Sequence, residues 1–178
     1  AAGESVGQVV CPVGDVEVID VWHVSGMRAT GSHDVAADGL FVPDDHTMSV
    51  DDLLQCAALP RVVAIGETGL DYYRLGLRSV ADMAWQRERF RVHVRAARAC
   101  GKPLVIHTRS ASADTLAILR EEGGTNGVFH CFTETAEVAR AALDLGFHIS
   151  FSGIVTFRNA EDLREVARFV PLNRLLIE

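Results

Sequence analysis

Residues 103–109 read PLVIHTR: a short apolar run, Leu104, Val105 and Ile106, passes without a break into the titratable side chain of His107. An apolar run that does not alternate with polar residues suits a strand covered on both faces, as in a parallel sheet. The same pattern recurs on either side of it. Residues 61–66 (RVVAIG) lead to Glu67, residues 127–132 (GVFHCF) carry His130, residues 147–151 (FHISF) form a further apolar run, and residues 175–178 (LLIE) end in Glu178. Helical periods lie between these runs. In residues 80–99 the apolar side chains of Val80, Met83, Ala84, Phe90, Val94 and Ala97 fall near one face, and Gly101 with Pro103 supplies the stop. Ser112 can cap a helix through Leu119 that ends near Gly123. Residues 136–145 form another helix, stopped by Gly146, and Asn159 can cap a last one through Phe169, ended by Pro171.

Five strands with intervening helices make repeated βαβ units, so the chain is expected to be α/β with a parallel sheet. A doubly wound sheet and a (β/α) barrel both satisfy that pattern. Glu67, His107, His130 and Glu178 each stand at or just beyond a strand end, which is where barrel active sites are built, and this favours the barrel. The length of 178 residues falls short of the roughly 250 of a complete barrel. Residues 1–60 read differently. They hold scattered Gly, Ser, His and Asp, a possible strand at 17–22 (EVIDVW), and a loop-like stretch from 25 to 46.

Composition narrows the function. The formal net charge of −7 argues against a protein that coats nucleic acid non-specifically. It does not argue against a metallo-nuclease, in which bound cations supply the local positive field. Cys11, Cys56, Cys100 and Cys131 are scattered without a CxxC pair, so free thiols are expected rather than a zinc knuckle or a disulfide framework. No apolar run reaches the roughly 18 residues of a membrane span. The sequence starts without a basic segment followed by an apolar one, so no signal peptide and a cytoplasmic location are expected.

Glu67, His107 and His130 form the candidate centre. Each follows an apolar run, so a closed barrel brings all three to one mouth. Two imidazoles and a carboxylate can hold a divalent ion with positions left for water and substrate. A lone histidine at a strand end is more often a hydrogen-bonded core or surface residue, and spacing alone leaves both readings open. Asp71, Tyr72 and Tyr73 can line a substrate groove or simply pack their loop. Arg109 can meet a phosphate with its forked donors or pair with a carboxylate. Asp114 reads as a first-turn helix residue, and His93 and His148 as structural. Cys131 reads as core, because alternation along a strand would turn it away from His130. Ser152 and Gly153 read as a strand-end turn.

The blocks GETGLDYY (66–73), PLVIHTRSA (103–111), GVFHCFT (127–133), LGFHISFSGIVTF (145–157) and VPLNRLLIE (170–178) resemble, in order, successive signature blocks of the TatD family. Residues 86–90 (QRERF) are similar to the family's helix before its fourth strand. The resemblance runs from residue 61 to 178. It implies a TIM-like (β/α) barrel of the metal-dependent hydrolase type, of which this chain carries strands three to seven, and a deoxyribonuclease that cleaves DNA phosphodiesters with metal-activated water. Glu67 resembles the carboxylate that bridges two metals; His107 and His130 resemble the histidines of the second metal. Arg109, Asp71 and Tyr72 are the substrate-binding candidates. The family's first-strand His-x-His and its Gly-x-His-Pro block are absent, and its block after Glu178 is not in the chain. His23, His33 and His46 read as loop residues. Two ions per site are implied for the family and at most one here, with Mg, Zn and Mn as candidates. DNA is the implied substrate and a monomer the implied state. Two alternatives stay open: an esterase that removes D-amino acids from tRNA on the same site, and a truncated fragment without enzymatic role.

Overall fold

The computed structural model describes residues 48–178 and, before them, the backbone of two short strands. The chain divides into two compact units, Ala1–His46 and Thr47–Glu178. In the first unit β1 (Glu17–Ile19) pairs antiparallel with β2 (Asp34–Ala36), with Glu17 opposite Ala36 and Ile19 opposite Asp34. β1 falls inside the expected strand at 17–22, and β2 is a strand within the stretch read as loop. Cys11, His23, His33, His46 and residues 21–27 lie outside the described residues.

The second unit opens with α1 (Val50–Ala57), an element the sequence reading passed over. Ser49 Oγ accepts the Asp52 amide at 3.2 Å while the Asp52 carboxylate accepts the Ser49 amide at 2.9 Å, a reciprocal cap that starts the helix. Leu53 and Ala57 are its buried face, packed toward α2 (Ala84–Cys100). Between them lies β3 (Ile65–Asp71). Then follow β4 (Leu104–Arg109), α3 (Ser112–Glu122), β5 (Gly127–Phe129), α4 (Ala136–Asp144), β6 (His148–Phe151), α5 (Glu161–Phe169) and β7 (Leu175–Ile177). Gly101 and Gly123 end α2 and α3 in the left-handed conformation, both at φ 68°.

The sheet is parallel and its order is β3-β4-β5-β6-β7, each strand beside the next in sequence. A doubly wound sheet reverses its order at a switch point. This one never does, and because crossovers of one hand in one direction lay every helix on the same face, the sheet is an arc of a singly wound barrel. Among the described residues β3 and β7 have one neighbouring strand each. The core lies between helices and sheet: Phe90, Val94, Leu119, Ala139, Ala142 and Val166 meet Leu70, Leu104, Ile106, Phe129 and Ile149. Phe129 stands edge to face with Phe147, ring centres 5.5 Å apart. Among the described residues no helix is long and apolar enough to cross a membrane, and Cys56, Cys100 and Cys131 are free thiols.

One strand departs from its expected place. The ladder begins at Ile65, not Arg61, and runs on through Asp71. Val63 stays 78% exposed and outside it. Ile65 faces Leu104 while Thr68 faces Ile106, so β3 spends three steps where β4 spends two. The extra residue is a bulge, and across it Gly66 and Glu67 are exposed in succession.

Candidate metal centre

The bulge explains how a carboxylate inside a strand comes to face the mouth. In a regular ladder Glu67 would alternate with its neighbours, one in and one out. With one residue added, its side chain leaves the packed face and meets two imidazoles. Its Oε1 lies 3.2 Å from Nδ1 of His107, and its Oε2 lies 4.0 Å from Nε2 of His130. Gly69 permits the close approach of β4: a Cβ there would fall 1.9 Å from the carbonyl oxygen of His107, and its φ is 142°.

His107 sits on β4 and His130 just past β5, whose last residue is Phe129. The His130 amide still donates to the Ile106 carbonyl, at 2.9 Å, which holds it against the end of β4. Each imidazole has a second carboxylate. His107 Nε2 is hydrogen-bonded to Asp71 Oδ2 at 3.0 Å. His130 Nδ1 lies 2.6 Å from Glu178 Oε2, while Glu178 Oε1 accepts the Cys131 amide at 2.7 Å and the Ser150 hydroxyl at 2.9 Å. The hydrogen bond from His107, with the nearby charge of His130, holds the Glu67 carboxyl below the usual carboxylate range, against the opposing pull of burial. The same bond to Glu67, aided by Asp71, raises the His107 imidazole above its ordinary value.

The structure thus brings Glu67, His107 and His130 together and adds Asp71 and Glu178. In the sequence Glu178 is a strand-end residue outside the candidate centre; its signal is the LLI run before it, the counterpart of LVI before His107. Tyr72 points elsewhere: its hydroxyl donates to Asp114 on α3 at 2.7 Å and accepts from Arg87 on α2 at 3.1 Å. Burial, the largest influence, pushes its phenol up. Arg109 pairs with no carboxylate among the described residues. Its guanidinium carbon lies 3.6 Å from the centre of the Tyr73 ring, so the tyrosine beside it is Tyr73. Cys131 is not core. β5 has ended before it, its φ is 45°, and its half-buried thiol donates to Ser152 Oγ at 3.1 Å, so strand alternation does not govern it. His93 is buried in α2 against the Arg89 carbonyl, 2.8 Å away.

Two imidazoles and three carboxylates are the donor chemistry of a zinc, manganese or similar site. Glu67 is the carboxylate that both imidazoles face. Its two separations bracket roughly 3.4 Å, the spacing of two ligands held about 2.0–2.1 Å from one tetrahedral ion. Among the described residues no three such side chains are already gathered about one point. The histidines are instead held by carboxylates, as metal-binding histidines commonly are on their outer nitrogen. The residues fit a divalent ion in chemistry and in proximity.

The comparisons with known proteins agree with this geometry. The model of a family described as TatD related DNase matches residues 20–178. An uncharacterized metal-dependent hydrolase YcfH of Escherichia coli (strain K12) is 59% identical over 131 residues, 72% of this chain and 48% of that protein. A 3'-5' ssDNA/RNA exonuclease TatD of Citrobacter koseri is 35% identical over 131 residues, 72% of this chain and 49% of that protein. The crystal structure of YJJV, a TatD homolog from Escherichia coli K12, superposes with a TM-score of 0.65 at 26% identity, covering 72% of this chain and 49% of that one. The chain spans about half the length of the curated relatives it matches. With the singly wound sheet, the bulged GETGLD strand and the paired histidines in the places the family's blocks occupy, the chain belongs to the TatD related DNase family.

Proposed function

We propose that this chain forms one side of the active site of a metal-dependent hydrolase that cleaves phosphodiester bonds in DNA. The observation that carries the reading is Glu67, placed by its bulge within 3.2 Å of His107 and 4.0 Å of His130. These three residues would hold a divalent ion, with Mg, Zn and Mn all compatible with their donors. Such an ion, when bound, supplies Lewis-acid activation of water and of the phosphorus centre. The chain's own residues do the rest. Asp71 and Glu178 orient the imidazoles from behind. Arg109, steadied on the Tyr73 ring and without a carboxylate partner among the described residues, offers forked donors to a phosphate oxygen.

The choice of phosphodiester over carboxylic ester rests on Arg109. The same ligands can act on either bond, but the guanidinium two residues beyond His107, which has no carboxylate partner among the described residues, can meet a phosphate at the scissile bond itself, where a carboxylic ester carries no charge. The exonuclease name of the Citrobacter koseri relative points the same way. The test is to load the chain with Mn²⁺ or Zn²⁺ and offer it single-stranded DNA and D-aminoacyl-tRNA side by side. The proposal expects metal-dependent release of nucleotides that Glu67→Gln abolishes. Cleavage of the aminoacyl ester with DNA left intact would overturn it.

A further inference from the structure

The turn that leaves β3 carries charge of one sign. Residues 72–81 (YYRLGLRSVA) hold Arg74 and Arg78 and no acidic residue, in a chain whose formal net charge is −7. Tyr73 and Arg74 are exposed there, and so is Arg109 at the end of β4, beside Asp71 in the ladder. The Tyr73 ring gathers both cations. The guanidinium carbon of Arg109 lies 3.6 Å from its centre and that of Arg74 lies 5.0 Å from it. The two carbons therefore stand no farther apart than those distances laid end to end. Attraction to the ring offsets part of the repulsion between them. Neither guanidinium has a carboxylate partner among the described residues.

Tyr73 is in turn tied to the centre. Its amide donates to Asp71 Oδ1 at 2.8 Å, and Oδ2 of the same carboxylate lies 3.0 Å from Nε2 of His107. Arg74 and Ser110, the residue after Arg109, both take up left-handed backbone, at φ 54° and 53°. Residues other than glycine are uncommon there, so each strand ends in a sharp turn that brings its arginine to the ring. An arginine over an aromatic ring can be packing and nothing more: Arg140 of α4 stands 4.6 Å over Phe169 of α5. Place and charge set Tyr73 apart, since its two cations lie at the mouth, beside His107 and in a stretch without acids.

We infer that Arg74 and Arg109, gathered on Tyr73, grip two phosphates of one strand, so that the site is built for a polynucleotide rather than for an ester with a single phosphate. This rests on the phosphodiester reading of the preceding section and adds a contact outside the scissile bond. Arg109, two residues from His107, takes the phosphate at that bond, and Arg74 takes its neighbour along the strand. The forked donors of each suit a phosphate oxygen.

Counterion release counts such contacts. On a logarithmic scale, affinity for a single strand falls with salt with a slope of about 0.7 for every phosphate neutralised. Binding of the full chain to a dye-labelled oligothymidylate, in chelator so that nothing is cleaved, is followed by fluorescence anisotropy over a range of salt. Arg74→Gln and Arg109→Gln are each expected to flatten the slope by about 0.7, and the double variant by about twice as much. Tyr73→Leu keeps both charges, so affinity should fall about threefold at an unchanged slope. Arg140→Gln, which removes the same kind of contact from the helical layer, should change neither. An unchanged slope in Arg74→Gln, an equal loss in Arg140→Gln, or a wild type that does not bind the strand overturns the inference. The two readings fail separately. Slopes that flatten as expected, in a chain that hydrolyses no phosphodiester once Mn²⁺ is added, keep the grip and remove the phosphodiester reading. Hydrolysis with an unchanged slope in Arg74→Gln keeps that reading and removes the grip.

Discussion

β3 and β6 belong to one sheet and follow opposite rules. β6 is four residues long, and its Ile149, Ser150 and Phe151 are all buried. It is preceded by the fully buried Phe147 and keeps a plain register with β7. β3 has seven residues, two of them glycines at positive φ, a bulge at Gly66 and Glu67, and only Ile65, Thr68 and Leu70 buried. β6 spends its sequence on the core, apart from Ser150, whose hydroxyl donates to Glu178. β3 gives up regularity and packing to turn one carboxylate toward the mouth and to let His107 come near. Stability and chemistry separate along this sheet: what alters the apolar side chains of β6 should leave the centre alone, and what restores regularity to β3 should destroy it.

The sharpest break is Gly69→Ala. The added methyl would stand 1.9 Å from the His107 carbonyl oxygen, at a φ that L residues rarely adopt. A loss of about 3 kcal/mol or more is expected in urea unfolding, enough to unfold a marginal domain. Ile149→Ala on β6 should cost about as much, 2–5 kcal/mol being roughly the range for such a truncation, but by leaving a cavity. The two differ in the folded fraction: His107 signals should shift in the first and stay in place in the second.

Glu67→Gln inverts that profile. The carboxylate is about two-fifths exposed, so stability should change by no more than about 1 kcal/mol. Affinity for Zn²⁺ should fall on the order of a hundredfold, since losing a shared ligand exceeds the loss of an outer partner. Equal affinity in a chelator competition would remove Glu67 from the centre. Arg109→Ala is smaller again. It should raise KM for single-stranded DNA about tenfold while leaving kcat within a few-fold, the pattern of a lost binding contact. A fall in kcat alone would place Arg109 elsewhere in the reaction.

The smallest effect tests the packed side of the contrast. Burial pushes the His93 imidazole below its usual range, opposed in part by its bond to the Arg89 carbonyl. Its folded pKa is therefore below its unfolded one. The unfolded chain takes up the proton first, so stability is full above about pH 6.5 and declines as the pH falls from there toward the folded value. In thermal melts His93→Leu should leave Tm at pH 8 nearly unchanged and flatten its fall between about pH 6.5 and 5. An unaltered acid slope would show that His93 does not titrate across unfolding.

Much of this fold was legible in the sequence, and the part that was not follows from the same contrast. LVI, GVF and HIS F-type runs announce buried strands because parallel strands under helices are apolar on both faces, and Gly101 and Gly123 mark the helix ends by their left-handed backbone. The strand before Glu67 is expected from Arg61, four residues ahead of where β3 begins, because RVVAI looks more like a strand than GETGLD does. Nothing local signals that two glycines and a bulge will extend the ladder to Asp71; the pairing with His107 and Arg109 does. α1 escapes the sequence reading because it buries only Leu53 and Ala57, although Ser49 and Asp52 spell out its cap. The trio Glu67, His107 and His130 was visible as strand-end residues. The bond of Asp71 to His107, the contact of Glu178 with His130 and the diversion of Tyr72 to Asp114 were not, since each joins residues at least 36 positions apart.

The claim beneath all of this is that Glu67, His107 and His130 form one metal centre. Calorimetric titration of the purified, chelator-stripped chain with Zn²⁺, repeated on His107→Ala and His130→Ala, tests it most directly. About one ion is expected to bind per chain, with binding abolished by either substitution. A chain that binds no ion, or binds it equally well without these histidines, would contradict it.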